Sequence, residues 1–155
     1  ASLHKSFVGT SGVLQSEHGS LNVERGLSQL RSEHGGQHGA RTTLEELCDA
    51  FNAHDLDRHM ALYTEDATLF GAVDELKIGR GAIRSYFAGR APTVRVKHYP
   101  MPHLREIGPG VVATAGHVDF ADGDTPSPYR MTWLLVRHDG DWKISQHHGS
   151  PRRGA

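Results

Sequence analysis

From Thr43 onward the chain keeps two periods in turn, first helical and then that of strands. Leu44, Leu47, Cys48 and Phe51 fall at i, i+3, i+4 and i+7, a single apolar helical stripe. Thr43 and Glu46 stand at the spacing of a capping box, which predicts that the helix starts there. Asp55 reads as the N-cap of a second short helix, with Leu56, Met60 and Tyr63 on its inner side. Ala67 to Phe70 reads as a short strand. After the turn marked by Gly79 and Gly81, the residues Ala82, Ile83, Tyr86 and Phe87 give a third helical stripe.

Beyond that point the period drops to two. Thr93 to His98 alternates Val94 and Val96 with Arg95 and Lys97. Leu104 to Ile107 and Val111 to Phe120 flank Gly108-Pro109-Gly110, a turn signal. Tyr129 to Arg137 and Asp141 to His148 flank Asp139-Gly140, the strongest hairpin signal in the chain. Helices followed by a run of antiparallel strands predict an α+β fold with the helices gathered on one side of a sheet.

Residues 1–40 keep no sustained period. Seven glycines from Gly9 to Gly39 punctuate them, and Ser-Glu-His-Gly occurs at Ser16 to Gly19 and again at Ser32 to Gly35. Leu27 and Leu30 allow one brief helix within Leu21 to Arg31. The expected organisation is an extended N-terminal arm over 1–40, a folded domain over 41–150 and a tail over 151–155. The stretch before Glu17 carries Lys5 and no acidic residue, like the edge of a processed organellar targeting sequence.

Composition narrows the partners. A formal net charge of -1 supplies no basic field for nucleic acid. No apolar run approaches the roughly 20 residues of a transmembrane segment; a soluble chain of cytoplasm or organelle matrix is expected, with the compartment itself left open. Cys48 is the single cysteine, which rules out an internal disulfide, and its place on the helical stripe makes it inert packing.

Chemistry concentrates at the last strand. Trp142 and Ile144 are two apart and should share its buried face; continuing the period places Gln146, His148 and Ser150 on that face. Such polar groups either reach solvent at the strand end or line a pocket. His147 and His148 point to opposite faces of a regular strand, so a metal would need a bulge, or His117, His103 or His98 from other strands. No cofactor is expected; a metal is the minority reading, not indicated by the pattern. Tyr86 is a core residue whose hydroxyl can face a cavity, Arg130 can meet an anion, and Glu65 and Asp66 read as structural.

Tyr63-Thr64-Glu65-Asp66-Ala67, Gly79 to Phe87 and the closing Arg137-His138-Asp139-Gly140-Asp141-Trp142-Lys143-Ile144 hairpin, followed by His147-His148-Gly149-Ser150, resemble the SnoaL-like, nuclear-transport-factor-2-like superfamily. The resemblance spans residues 42–150. It implies a cone, helices packed on a strongly curved antiparallel sheet around a pocket, and a homodimer through the sheet. Two branches are similar. Iota-class carbonic anhydrases end in a Trp-x-Ile-x-x-His-His-Ser-Ser run, which implies Tyr86, His148 and Ser150 as catalytic groups for reversible CO2 hydration; Gln146, from its place on the strand face, and Arg130, as an anion partner, are the expected substrate-binding groups beside them. Gly149 departs from the first serine of that run, and Gly71-Ala72 from an expected Pro-Thr pair. The association domain of calcium/calmodulin-dependent kinases shares the hairpin, and implies a non-catalytic assembly subunit tethered into a larger complex through residues 1–40. An acidic base of the steroid-isomerase type would fall where Gly71 and Ala72 stand.

Overall fold

The computed structural model describes residues 17–153. The segment around Lys5 lies outside the described residues. The chain divides into two compact units, one ending at Glu33 and the other beginning at His34. In the first unit the described residues are helical from Glu17, where an extended arm was expected, and Val23 and Leu27 are exposed. Both belong to helix α1, Glu17–Ala53. Among the described residues, no helix is long and apolar enough to cross a membrane.

The capping box at Thr43 is therefore not a helix start. Thr43 sits inside α1, and its hydroxyl lies 3.1 Å from the Gly39 carbonyl and 2.9 Å from the carbonyl of Trp142. Glu46 pairs instead with Arg58. The glycines upstream have a packing reason. A Cβ on Gly39 would stand 2.2 Å from Cδ1 of Trp142, and one on Gly36 would stand 3.2 Å from the same indole. Glycine inside a helix costs about 1 kcal/mol relative to alanine. Here the missing side chains form a flat seat for Trp142.

Within the second unit α1 is followed by α2 (Leu56–Met60), β1 (Tyr63–Phe70), β2 (Lys77–Ile78), α3 (Arg80–Ala88), β3 (Val94–His98), β4 (His103–Gly108), β5 (Val111–Asp122), β6 (Thr125–His138) and β7 (Asp141–Pro151). Asp55 caps α2, accepting from the Arg58 amide at 3.0 Å, as its sequence position predicts. Tyr63 opens β1 rather than closing α2, and Glu65 and Asp66 lie within that strand. Asp139 and Gly140 both have positive φ (50° and 86°), the geometry of a tight hairpin between β6 and β7.

The strands form one seven-stranded sheet in the order β2-β1-β7-β6-β5-β3, with β4 also paired to β5. The β1–β7 pair is parallel, so the sheet is mixed rather than wholly antiparallel. The fold is α+β, with a strongly curved, unclosed sheet packed against the helices. Leu44, Tyr63, Leu69, Ile83, Val112, Leu135 and Ile144 are almost fully buried between the layers. The tail expected from Pro151 is anchored: Pro151 ends β7, and Arg152 pairs with Asp119 at 2.7 Å.

The Trp142 seat yields the first prediction. Gly39→Ala should lower unfolding free energy by about 1–3 kcal/mol through overpacking. Gly26→Ala, where nothing lies within 4 Å of the added Cβ, should raise it or leave it unchanged. Urea titrations of both variants check this; an equal effect at the two positions would remove the seat as the reason for glycine.

Candidate functional site

Strand β7 carries one residue more than its partner. Leu135 pairs with Ile144, but the next residue of β6, Leu134, pairs with Gln146, so Ser145 is a bulge. The extra residue reverses which side chains face inward. Trp142 and Ile144 point to the helices before it, and His147 and Gly149 do so after it.

This corrects the placement of three candidates. Gln146 and His148 are exposed, and Ser150 shares their outer side of the sheet; none of the three lines the cavity. Arg130 is also exposed, donating to the Pro151 carbonyl at 3.4 Å. Tyr86 alone of the expected site residues borders the cavity. Its hydroxyl accepts from the Ala72 amide at 2.8 Å, and the close approach leaves no room for a side chain on Gly71.

The cavity, about 430 Å³, lies between α1, α2, α3 and the sheet. Leu47, Phe51, Leu69, Phe87, Val118, Phe120 and Met131 make it mostly apolar, and its polar lining includes His147, His59, Tyr86, Tyr129, Ser127 and Arg90. Among the described residues the lining holds no carboxylate. Nor do three His, Cys, Asp or Glu side chains gather among them as a metal-binding group. Cys48 borders the space, and burial pushes its thiol up to about 12, so it is not nucleophilic there.

His147 is the polar centre. Its Nδ1 lies 2.8 Å from the Tyr63 hydroxyl, and both residues are buried. Burial drives the His147 pKa down to about 3, with His59 and His148 adding to the effect, and raises that of Tyr63 well above its ordinary value. Near neutral pH the ring is therefore uncharged and the phenol protonated. No other acceptor for the phenol is found among the described residues, so Tyr63 donates to Nδ1, which leaves the proton of His147 on Nε2. An imidazole N–H facing an apolar cavity can orient and polarise an acceptor oxygen.

His59 stands beside this pair, its ring centroid 4.3 Å from that of Phe87 and 5.8 Å from that of Tyr63. Burial, then the Arg90 charge, lowers its pKa to about 4. A sequence signal for His59 existed: it falls at i+3 from Leu56, on the inner stripe that runs through Met60. The reversal at Ser145, which brings in His147, has no such signal. Arg90 lies just beyond α3 and has none either.

Both histidines are buried neutral, which sets a pH dependence. Their folded pKa values lie below the ordinary 6.5, so the unfolded chain takes up protons first as pH falls. Stability is then fully present above about pH 6.5 and falls toward pH 4 by about 1 kcal/mol per pH unit for each histidine. His147→Phe should flatten this acid limb by roughly half. Urea midpoints between neutral and acid pH measure it; an unchanged slope in the variant would show that His147 is not buried neutral.

The SnoaL-like domain profile matches residues 40–153. Among solved structures, the chain is similar to a ketosteroid isomerase-like protein from Erwinia carotovora atroseptica SCRI1043, at 18% identity and a TM-score of 0.67, covering 76% of this chain and 96% of that one. An NTF2-like protein with a cystatin-like fold from Novosphingobium aromaticivorans gives 14% and 0.68, covering 87% and 91%. A protein from Xanthomonas campestris, described as a candidate calcium/calmodulin-dependent protein kinase II association domain, gives 20% and 0.60, covering 72% and 84%. At these identities the structures speak for the fold alone. No curated protein matches the chain. With the profile covering most of its length, the chain belongs to the SnoaL-like domain family.

Proposed function

We propose that this domain binds a small, largely apolar molecule carrying a carbonyl or similar acceptor, with Nε2 of neutral His147 donating to that oxygen. The observation behind it is the Tyr63–His147 pair at 2.8 Å in the wall of an apolar cavity of about 430 Å³. An N–H donor in the wall of a mostly apolar cavity singles out a guest that brings an acceptor oxygen to it. Without a carboxylate in the described lining, the site suits binding and polarising a carbonyl better than proton abstraction by an acidic base.

Reversible CO2 hydration is the weaker reading of this site. His148, Ser150 and Gln146 lie on the outer side of the sheet, and the inward position that follows His147 is Gly149, where no hydroxyl is available. Tyr86 accepts from the Ala72 amide and keeps its O–H to donate, but neither His148 nor Ser150 lines the cavity with it.

Self-association through the outer sheet face is a separate proposal. His103, Ala115, Thr132, His148 and Phe70 pair in one row across five strands, and all are exposed. Thr132→Arg, at the centre of that row, should convert a dimer to a monomer in sedimentation equilibrium. A wild-type chain that sediments as a monomer would end this reading.

Calorimetric titration with 2-acetylnaphthalene and its hydrocarbon isostere 2-isopropenylnaphthalene tests the binding role. The ketone should bind roughly tenfold more tightly, the worth of one hydrogen bond to a buried donor. In His147→Leu that preference should vanish while the hydrocarbon still binds. Equal binding of the two probes by the wild type would rule His147 out as the donor.

A further inference from the structure

Arg90 forms part of the cavity wall. Its guanidinium carbon lies 3.4 Å from the centroid of the Phe51 ring. Nη2 donates to the Phe51 carbonyl and faces Nδ1 of His54 at 3.0 Å. Nη1 is buried and has no hydrogen-bond partner among the described residues. Arg58, Arg80, Arg84 and Arg152 each have a carboxylate partner; Arg90 has none among the described residues. Arg95 is in the same situation, reaching the Pro92 and Val94 carbonyls and Nε2 of His54.

His54 thus meets a guanidinium at each ring nitrogen. A neutral imidazole offers one acceptor and one N–H, so one of these contacts sets donor against donor. Protonating the ring would make both unfavourable, and desolvation with the two arginine charges lowers its pKa accordingly. The cluster holds two positive charges and more N–H groups than acceptors. Burial and the Arg95 charge bring even Arg90 down to about 10. Nη2 is taken up by Phe51 and His54, so the unmatched N–H groups are those of Nη1, and a carboxylate oxygen is the acceptor that would match them in a charge-assisted hydrogen bond.

Beside it runs a row of rings. The Phe51 and Phe87 centroids are 6.3 Å apart, as are those of Phe87 and His147. The cavity therefore has a cation at one end, aromatic faces along one wall and a neutral imidazole at the other end.

We propose that the ligands of this cavity are organic acids, an aromatic or alicyclic ring lying along Phe51 and Phe87 with its carboxylate paired to Arg90. This inference rests on the binding role proposed above and names the ligand class. An inorganic anion would satisfy the guanidinium but leave the apolar space unfilled, which favours an acid with a sizeable ring.

The test is calorimetric titration of 2-naphthoate beside the neutral 2-acetylnaphthalene, which has a methyl group in place of one carboxylate oxygen. Wild type should bind the acid at least about tenfold more tightly, an advantage that added salt reduces. Arg90→Gln should abolish that advantage and keep the ketone affinity, and Arg90→Lys should retain part of it. If the ketone binds and the acid is no better, the carboxylate assignment falls and the cavity reading stands. If neither probe binds, both fall. Should Arg90→Gln lose the ketone as well, salt decides: an acid preference in the wild type that salt does not reduce overturns the pairing.

Discussion

The single extra residue in β7, Ser145, sets what the two halves of that strand face, and the rest of the second unit depends on it. Before the bulge the strand serves the core, with Ile144 fully buried and Trp142 seated on Gly36 and Gly39 of α1. After it the strand serves the cavity through His147 and Gly149. Uninterrupted alternation would have sent Gln146, His148 and Ser150 inward. Burying three such groups without partners costs on the order of 1–3 kcal/mol each. A bulge forfeits little more than one ladder hydrogen bond, so the irregular strand is the stable one. His147, the one polar side chain brought in, meets a phenol whose own hydroxyl needs an acceptor, and its Nδ1 supplies that acceptor.

That arrangement fixes the electrostatics of the interior. Tyr63, His59 and His147 are all held neutral by burial, and no carboxylate stands in the described lining. The charge at the cavity is that of Arg90, partly desolvated and stacked on Phe51. A mostly apolar wall with a cation at one end discriminates against cationic guests, and the low polarity of that wall strengthens a hydrogen bond made by the imidazole N–H.

Periodicity carried much of the fold. The α3 stripe, the alternating strands and the Asp139-Gly140 turn all appear where local pattern places them, because each rests on near neighbours in sequence. Tyr86 reaches the cavity for the same reason, one helical turn from Ile83. What failed to show were features decided by distant contacts. Thr43 and Glu46 match a capping box, yet Thr43 bonds across to Trp142 and Glu46 to Arg58, because Gly36 and Gly39 let the helix pass close to β7. The inward face of β7 was mistaken beyond Ile144 because a bulge arises from pairing with β6, which no local signal in β7 records. The two-residue strand β2 is too short to show any period.

Glycine also shapes the cavity. A Cβ at Gly149 would stand 2.9 Å from Sδ of Met131, and one at Gly71 would stand 2.3 Å from the Tyr86 hydroxyl. Both residues line the space, one on β7 and one in the loop after β1. A serine at 149 would push Met131 away and bring a hydroxyl beside His147, adding a polar group to the site. A larger residue at 71 would displace Tyr86 from the Ala72 amide and so loosen a loop that lines the cavity. With glycine at both positions, the wall stays mostly apolar and closely packed, no hydroxyl is added beside His147, and the charge is that of Arg90. A guest in this cavity is then held by its ring along the aromatic wall and oriented by its polar ends, so length between those ends, more than bulk, decides what fits.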